Sequence, residues 1–503
     1  MFDNRFEKHY NKIVITKGAT AMTEKDLIEL IDALKHQKCE KQYVEVKKAL
    51  GGTSKKLYDT LSSFSNQNDG GTIIFGVDEK AGYEVTGVYD AQDLQVQVKN
   101  AAEQMEPVVR PFFTVAEYEG KVVVSAEIPE CEPENKPCFY KPAGRIRGSY
   151  VRVGDADMPM TEYEIYSYEV YKKKIRDELR IVDRAETDDL SREKLSLYFA
   201  KLKTEKPQLA SQDDFRIMKL QGLVDNGKPT VAGLMLVGDY PQAFFPQLGI
   251  TAMVVDGYEI GDLGASGERF IDNKRFDGTI PEMLEGAMNF VRRNIKTAVV
   301  VDENGRRTDK PEYPLVAVRE LILNALIHRD YSVHTEDSPV RVILFRDRLV
   351  VENPGGLYGR LTINDLGKVP GDTRNPFIAS NLEVMIDTEN RFSGIPTIRE
   401  AMKKAGLPEP LFENNRGNFR ATLYSKKKAS VIQNDLTITV EERILAFCTE
   451  PKSKEEIASI LNIQTPYYVV TKYLRPLVVS GKLAMTIPQK PKSKYQKYYR
   501  VEQ

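Results

Sequence analysis

Residues 319–331 read RELILNALIHRDY, and a little further on residues 345–357 read FRDRLVVENPGGL. The first stretch is apolar apart from its ends and two interruptions, Glu320 and Asn324, which lie four residues apart. On a helix that spacing places both side chains on one face, one turn apart. The second stretch reads as a strand that enters a loop stiffened by Pro354 and carrying Gly355 and Gly356. A helix followed by such a strand is expected to form one mixed unit over residues 311–425.

Working outward, residues 279–295 read as a long helix, 249–256 as a strand and 229–238 as an amphipathic or buried helix. These fall in a mixed connecting region, 185–310. Before it, a lead of residues 1–25 precedes a unit over 26–184. There residues 23–50 read as two short helices and 55–67 as another. The turn Asn68-Asp69-Gly70-Gly71 then leads into the apolar run TIIFGV. Strands follow at 112–117 and 122–128 with a turn at 118–121, another strand at 149–153, and a charged helix at 163–184. After residue 425, the polar connector includes Lys426-Lys427-Lys428. The last unit, 436–503, reads helix, helix, turn, helix, basic hairpin. The fold class expected is α+β, multidomain.

The chain has 503 residues, 41% hydrophobic and 29% charged. That length is beyond one growing core and implies about three or four domains. No apolar run approaches the ~18 residues of a membrane span. Residues 1–12, MFDNRFEKHYNK, lack the apolar stretch of a secretory signal, so a cytosolic protein without membrane contact is expected. The four cysteines contain no C-x-x-C pair, which argues against a disulfide framework or zinc site. A net charge of −1 leaves nucleic-acid binding to local basic patches. No G-x4-G-K-[ST] motif occurs, so a P-loop motor or helicase is excluded.

In the unit over 26–184, three pieces occur in order: Glu40 to Lys47 (EKQYVEVK), residues 64–79 (FSNQNDGGTIIFGVDE), and residues 149–159 (SYVRVGDADMP) followed by Thr161. Together they resemble the AlbA_2 domain of Schlafen-type proteins. The resemblance implies a nucleic-acid-binding domain. In nuclease-type members it also implies a divalent-metal site made by three carboxylates. By motif these are Glu40, Glu45 and Asp78, which suit Mg²⁺ or Mn²⁺ through hard oxygen ligands. Their plainer reading is solvated acids, with Glu45 paired to Lys47. Arg145, Arg147 and Arg152, with Tyr150 among them, fit phosphate contact and base stacking; the plainer alternative is the polar face of an edge strand.

Residues 319–331 resemble the N-box of GHKL nucleotide-binding domains. Residues 373–382 and 391–412 resemble the branch found joined to AlbA_2 domains, and the likeness runs over 313–423. It implies ATP with Mg²⁺, with Asn324 on the metal and Glu320 orienting water in a possible weak ATPase. Glu352 or Asn353 stands near the place of the family's adenine-contacting Asp, followed by Gly355 and Gly356. Of the family's glycine-rich lid only Ser393-Gly394 is evident. The plainer reading of Asn324 is a packing or capping amide.

The final unit looks like a winged helix-turn-helix, whose third helix can enter the major groove. Tyr467, Lys472 and Arg475 would face DNA, and Lys490, Lys492, Lys494 and Lys497 would line the wing. Winged helices also serve as docking modules.

The leading expectation is an ATP-binding, DNA-binding regulator, with RNA as a further partner and a homo-oligomeric state, in which nucleotide biases domain arrangement or assembly. A metal-dependent nuclease acting on tRNA or single-stranded DNA in anti-phage defence is the enzyme alternative. A docking scaffold with vestigial pockets is the third.

Overall fold

The computed structural model describes residues 22–40, 42–52, 57–262, 267–301, 307–386, 394–425, 440–460, 469–489, 493 and 496–501. In the first unit, Thr23 caps helix α1 (Glu24–Gln37) through a reciprocal capping box with Asp26. The chain then forms β1 (Val44–Lys47), not the second helix expected within 23–50. Alternation decides this: Val44 and Val46 are buried while Glu45 and Lys47 face the other way. Helix α2 (Leu57–Asn66) leads through the turn at Gly70 into β2 (Gly71–Phe75), which pairs with β1 in parallel. Gly70 has φ +70°. A Cβ there would lie 2.1 Å from the Ile128 carbonyl oxygen, so no other residue fits this turn.

Helix α3 (Ala91–Glu103) and the hairpin β3 (Phe112–Tyr118) and β4 (Lys121–Ile128) complete a sheet of order β1-β2-β4-β3. Its two faces build separate cores. Ile73, Phe75, Val124 and Ala126 pack with α2 and α3, whereas Val46, Ile74, Ala116 and Val123 pack with α1. A short hairpin, β5 (Tyr150–Val153) and β6 (Ala156–Pro159), lies against α2. Helix α4 (Glu162–Lys173) ends the unit. It stops short of the expected end at 184 because Lys174 turns left-handed, at φ 53°.

From there the expected boundary near residue 311 does not separate two bodies. One continuous core runs from Val182 to Leu423. Helices α5 (Arg192–Glu205) and α6 (Val231–Val237) contribute to it, as do β7 (Ile250–Val254), β8 (Asp272–Phe276) and α7 (Ile280–Asn294). Next come α8 (Leu315–His328), β9 (Val340–Leu344), β10 (Arg348–Pro354), α9 (Pro376–Ile386), α10 (Gly394–Lys404), β11 (Leu411–Asn415) and β12 (Asn418–Tyr424). The strands form one six-stranded sheet, ordered β8-β7-β9-β10-β12-β11 and antiparallel except for β7 with β9. Two strands of the connecting region thus complete the sheet of the following unit. Short strands leave the β9 edge unpaired unless β7 covers it, which is the physical reason the two regions merge.

The C-terminal residues form a small core of their own around Ile444, Ile457, Leu474, Leu477, Leu483 and Tyr498. Helices α11 (Val440–Phe447), α12 (Lys454–Ile460) and α13 (Arg475–Val479) pack with a three-stranded sheet. The strands are β13 (Lys452–Ser453), β14 (Leu483–Met485) and β15 (Lys497–Arg500), with β15 in the middle. No helix among the described residues is long and apolar enough to cross a membrane.

Candidate functional sites

Helix α8 is buried nearly all round, through Ala317, Val318, Leu321, Ile322, Leu323, Ala325, Leu326 and Ile327. Glu320, Asn324 and His328, at successive four-residue steps, share the remaining stripe. That stripe lines a cavity of about 230 Å³. Opposite it stand Val351 and Asn353 of β10 and Phe419 and Ala421 of β12; the loop 355–373 and the start of α10 close the sides. The cavity brings together Glu320, Asn324, Asn353, Gly355, Gly356 and Gly394, six of the residues expected at a nucleotide site. Ser393 lies outside the described residues.

Two amides face this cavity without partners. Asn324 Nδ2 and Asn353 Oδ1 are buried polar atoms that make no hydrogen bond. Such atoms are costly unless a ligand or water meets them. Gly394 sits against the helix stripe: a Cβ there would lie 2.8 Å from Asn324 Nδ2 and 3.3 Å from Glu320 Oε2. Burial raises the pKa of Glu320, only partly offset by Arg319.

Glu352 does not belong to this site. Successive strand residues point to opposite faces, so with Asn353 inward Glu352 faces the other side of the sheet. It lies directly across from Arg341 on β9 and Arg420 on β12. Arg420 donates from Nε and Nη2 to Glu352 Oε1 at 2.9 and 2.7 Å, and Arg341 ion-pairs with its second oxygen. Sequence reasoning missed Gly367, Gly371 and Asp372, which also line the cavity. Their signal is the segment LGKVPGDT, a second glycine-bearing loop besides the one at residue 394.

Helix α4 of the first unit grips the rim of this cavity. Tyr171 donates from Oη to Asp372 Oδ2 at 3.0 Å, and its ring meets that of Tyr358 edge-on at 5.4 Å. Tyr358 and Asp372 both line the cavity. Just beyond α4, Arg176 donates to the carbonyl oxygens of Thr373 and Arg374 at 3.3 and 3.2 Å. Tyr163 donates to Asp330 Oδ2 at 2.7 Å, and Asp330 pairs with Arg374 at 2.6 Å. Both members of that ion pair are almost fully buried. Arg374 holds the loop in turn by donating to the Gly356 carbonyl oxygen at 3.1 Å.

The three carboxylates expected as a metal site are divided. Glu40 and Glu45 converge on Arg152, whose Nη2 lies 3.5 and 2.8 Å from their oxygens. Arg152 also reaches Asp157 at 3.0 Å, and Lys47 pairs with Glu45. Burial, then the charge of Glu45, pushes the Glu40 carboxyl up to about 8. With Glu40 protonated, Arg152 and Lys47 balance Glu45 and Asp157, so the cluster is neutral by itself. Asp78 stands apart, paired with Lys48 at 2.7 Å and accepting from the Lys80 backbone N–H at 3.1 Å. Among the described residues no group of three acids, histidines or cysteines is placed to hold a metal ion.

One expected nucleic-acid contact is also corrected. Arg152 has a side chain only 1% exposed, committed to its acids. Arg145 is ion-paired with Glu169 and lies over the Phe139 ring. Arg147 is exposed and Tyr150 half-buried. In the C-terminal unit Arg475 and Lys497 are exposed. Tyr467, Lys490, Lys492 and Lys494, and the side chain of Lys472, lie outside the described residues.

Residues 40–161 match the family model described as Schlafen, AlbA_2. The chain carries a Schlafen AlbA_2 domain. Residues 337–423 match the model described as putative ATP-dependent DNA helicase recG C-terminal, which begins after the α8 stripe. Residues 440–501 match the C-terminal domain of Fic-like proteins, named for filamentation induced by cAMP. The AlbA_2 and recG-type domains are of DNA-binding and ATP-binding kinds, and such domains generally bind nucleotide and metal.

Among solved structures, the DIP2311 protein of Corynebacterium diphtheriae is 19% identical, covering 91% of this chain and 93% of its own, with a TM-score of 0.40. The N-terminal domain of a putative ATP-dependent DNA helicase RecG-related protein from Nitrosomonas europaea is 26% identical, covering 27% and 92%, with a TM-score of 0.22. At these TM-scores the likeness carries no structural weight. Comparison with curated protein sequences gives no match.

Proposed function

We propose that this chain is a nucleic-acid-binding regulator whose cavity between α8 and β10 takes ATP with Mg²⁺. The observation that carries the reading is the pair of buried, unpartnered amides, Asn324 and Asn353, facing one cavity beside Glu320 and Gly394. The residues suit the ligand. Asn324 would hold the cation through its amide oxygen, Asn353 would hydrogen-bond the base, and Gly367, Gly371 and Gly394 leave room for phosphates beside backbone N–H groups. Bound ATP supplies a polyphosphate charge that only a cation and N–H donors can meet in such a site. Glu320 would orient water there.

The grip of α4 on the cavity rim supports a regulatory rather than a purely storage role. A ligand that shifts the loop 355–373 must strain or relieve the Tyr171–Asp372 and Arg176–Thr373 bonds, and through them the placement of the AlbA_2 domain. The C-terminal unit supports DNA contact of the winged-helix type. Its helices precede a hairpin, its central strand is the last, and exposed Arg475 and Lys497 give it cations.

The test is calorimetry with ATP·Mg²⁺ on the full chain. Wild type should bind, and Asn324→Ala should lose the Mg²⁺-dependent part of the affinity while Glu320→Gln retains it. Equal affinity of wild type and Asn324→Ala would remove the nucleotide assignment.

A further inference from the structure

We propose that Tyr58, Tyr140 and Tyr150 form a base-stacking platform for single-stranded nucleic acid on the AlbA_2 domain. The proposal rests on the nucleic-acid reading above and names the surface that realises it. Tyr58 comes from α2, Tyr140 from the short strand Phe139–Tyr140, and Tyr150 from β5. The rings of Tyr58 and Tyr140 stack at 4.3 Å, tilted by 13°. Tyr150 meets Tyr58 edge-on at 6.0 Å. All three are half-buried rather than part of the closed core, although Tyr58 and Tyr140 flank it. The Tyr140 hydroxyl reaches outward to Gln104 at 3.2 Å.

The surroundings favour an anionic, aromatic ligand. The short helix Gly144–Gly148 follows Tyr140 and carries Arg147, exposed, beside Ile146, 63% exposed. Lys141, next to Tyr140, has a side chain 71% exposed and only a distant acid, Glu106, at 3.9 Å. Two acids also lie near Tyr150, and each is engaged locally. Asp157 accepts from Thr60 Oγ1 at 2.7 Å and from Arg152 at 3.0 Å, and Asp59 accepts from the Thr60 backbone N–H at 2.9 Å. Exposed cations beside a partly exposed aromatic cluster are the arrangement that tracks a backbone while bases stack on ring faces. A duplex keeps its base faces stacked internally, so the rings would select single strands.

Anisotropy with labelled oligo-dT, oligo-U of equal length and a duplex tests this on the full chain. Tyr58→Ala and Tyr140→Ala should each weaken single-strand binding about tenfold or more. Tyr140→Phe should bind like wild type, because the ring and not the hydroxyl stacks. Arg147→Ala should lower the salt slope on single strands by about 0.7. Duplex affinity should not move. Alanine variants that melt like wild type and bind single strands equally well would overturn the platform. So would equal losses on duplex and single strand. A wild type that binds only duplex sinks the platform and leaves the nucleic-acid reading standing; a wild type that binds none of the three probes sinks both.

Discussion

Gly394→Ala is the sharpest perturbation of the cavity. The added methyl would lie 2.8 Å from Asn324 Nδ2, 3.4 Å from its Oδ1 and 3.3 Å from Glu320 Oε2. The first distance is well inside the about 3.5 Å at which such atoms rest. What must yield is the end of the Asn324 side chain, since neither backbone nor core atoms are among the three nearest. Gly394 is also the first residue of α10, where Ala suits the helix better. The fold should therefore keep its melting temperature or gain slightly. The Asn324 amide, however, must swing away from the position from which it would meet the cation. Forcing a methyl into a packed site costs about 1–3 kcal/mol. If that cost falls on the bound state, ATP·Mg²⁺ affinity drops about 5- to 150-fold. Calorimetry beside a thermal melt measures both. Unchanged affinity in a protein of unchanged stability would refute the placement of nucleotide against α8 and α10.

Asp330→Asn should destabilise the protein by about 3–5 kcal/mol in denaturant titration, because it leaves the buried Arg374 charge uncompensated. In wild type Arg374 and Tyr163 hold the Asp330 pKa below its usual value despite burial. That stabilisation is therefore present above the unfolded carboxylate value and lost as pH falls through the folded one. Glu178 behaves in the opposite sense. It is buried, accepting from the Phe377 and Ile378 backbone N–H groups at 3.1 and 2.8 Å, and burial pushes it up to about 7. The folded state then holds a proton that the unfolded state has lost, so stability falls as pH rises from about 4.5 to about 7. Glu178→Gln should flatten stability across that window, and an unchanged pH profile would count against the shift. Tyr171→Ala should alter amide hydrogen exchange in both the loop 355–373 and the AlbA_2 domain. Exchange changes confined to α4 would argue against coupling through its grip on the cavity rim.

Local signals were enough for much of this protein. The Asn68–Gly71 turn, the hairpin at 118–121 and the helix carrying Glu320 and Asn324 depend on neighbours within a few residues, so they were legible. The i, i+4 spacing on an apolar helix and the glycines after β10 likewise pointed to one site, because a helix stripe is set by chain geometry. What the tertiary structure decided was which partner each polar side chain found. Nothing local distinguishes Asn353 from Glu352 as the inward residue; the pairing of β10 between β9 and β12 does. Arg152 reads as a surface cation until β5 folds it over Phe64 and onto Glu40, Glu45 and Asp157. Asp78 aligns with those acids in sequence order but pairs with Lys48 because β2 breaks at Gly76 before reaching it. The merging of residues 185–310 with the sheet that follows, and the reach of Tyr171 to Asp372, join segments up to 201 residues apart. Such contacts are selected by the free energy of burying a shared core, a property of the whole packed chain that no window of sequence contains.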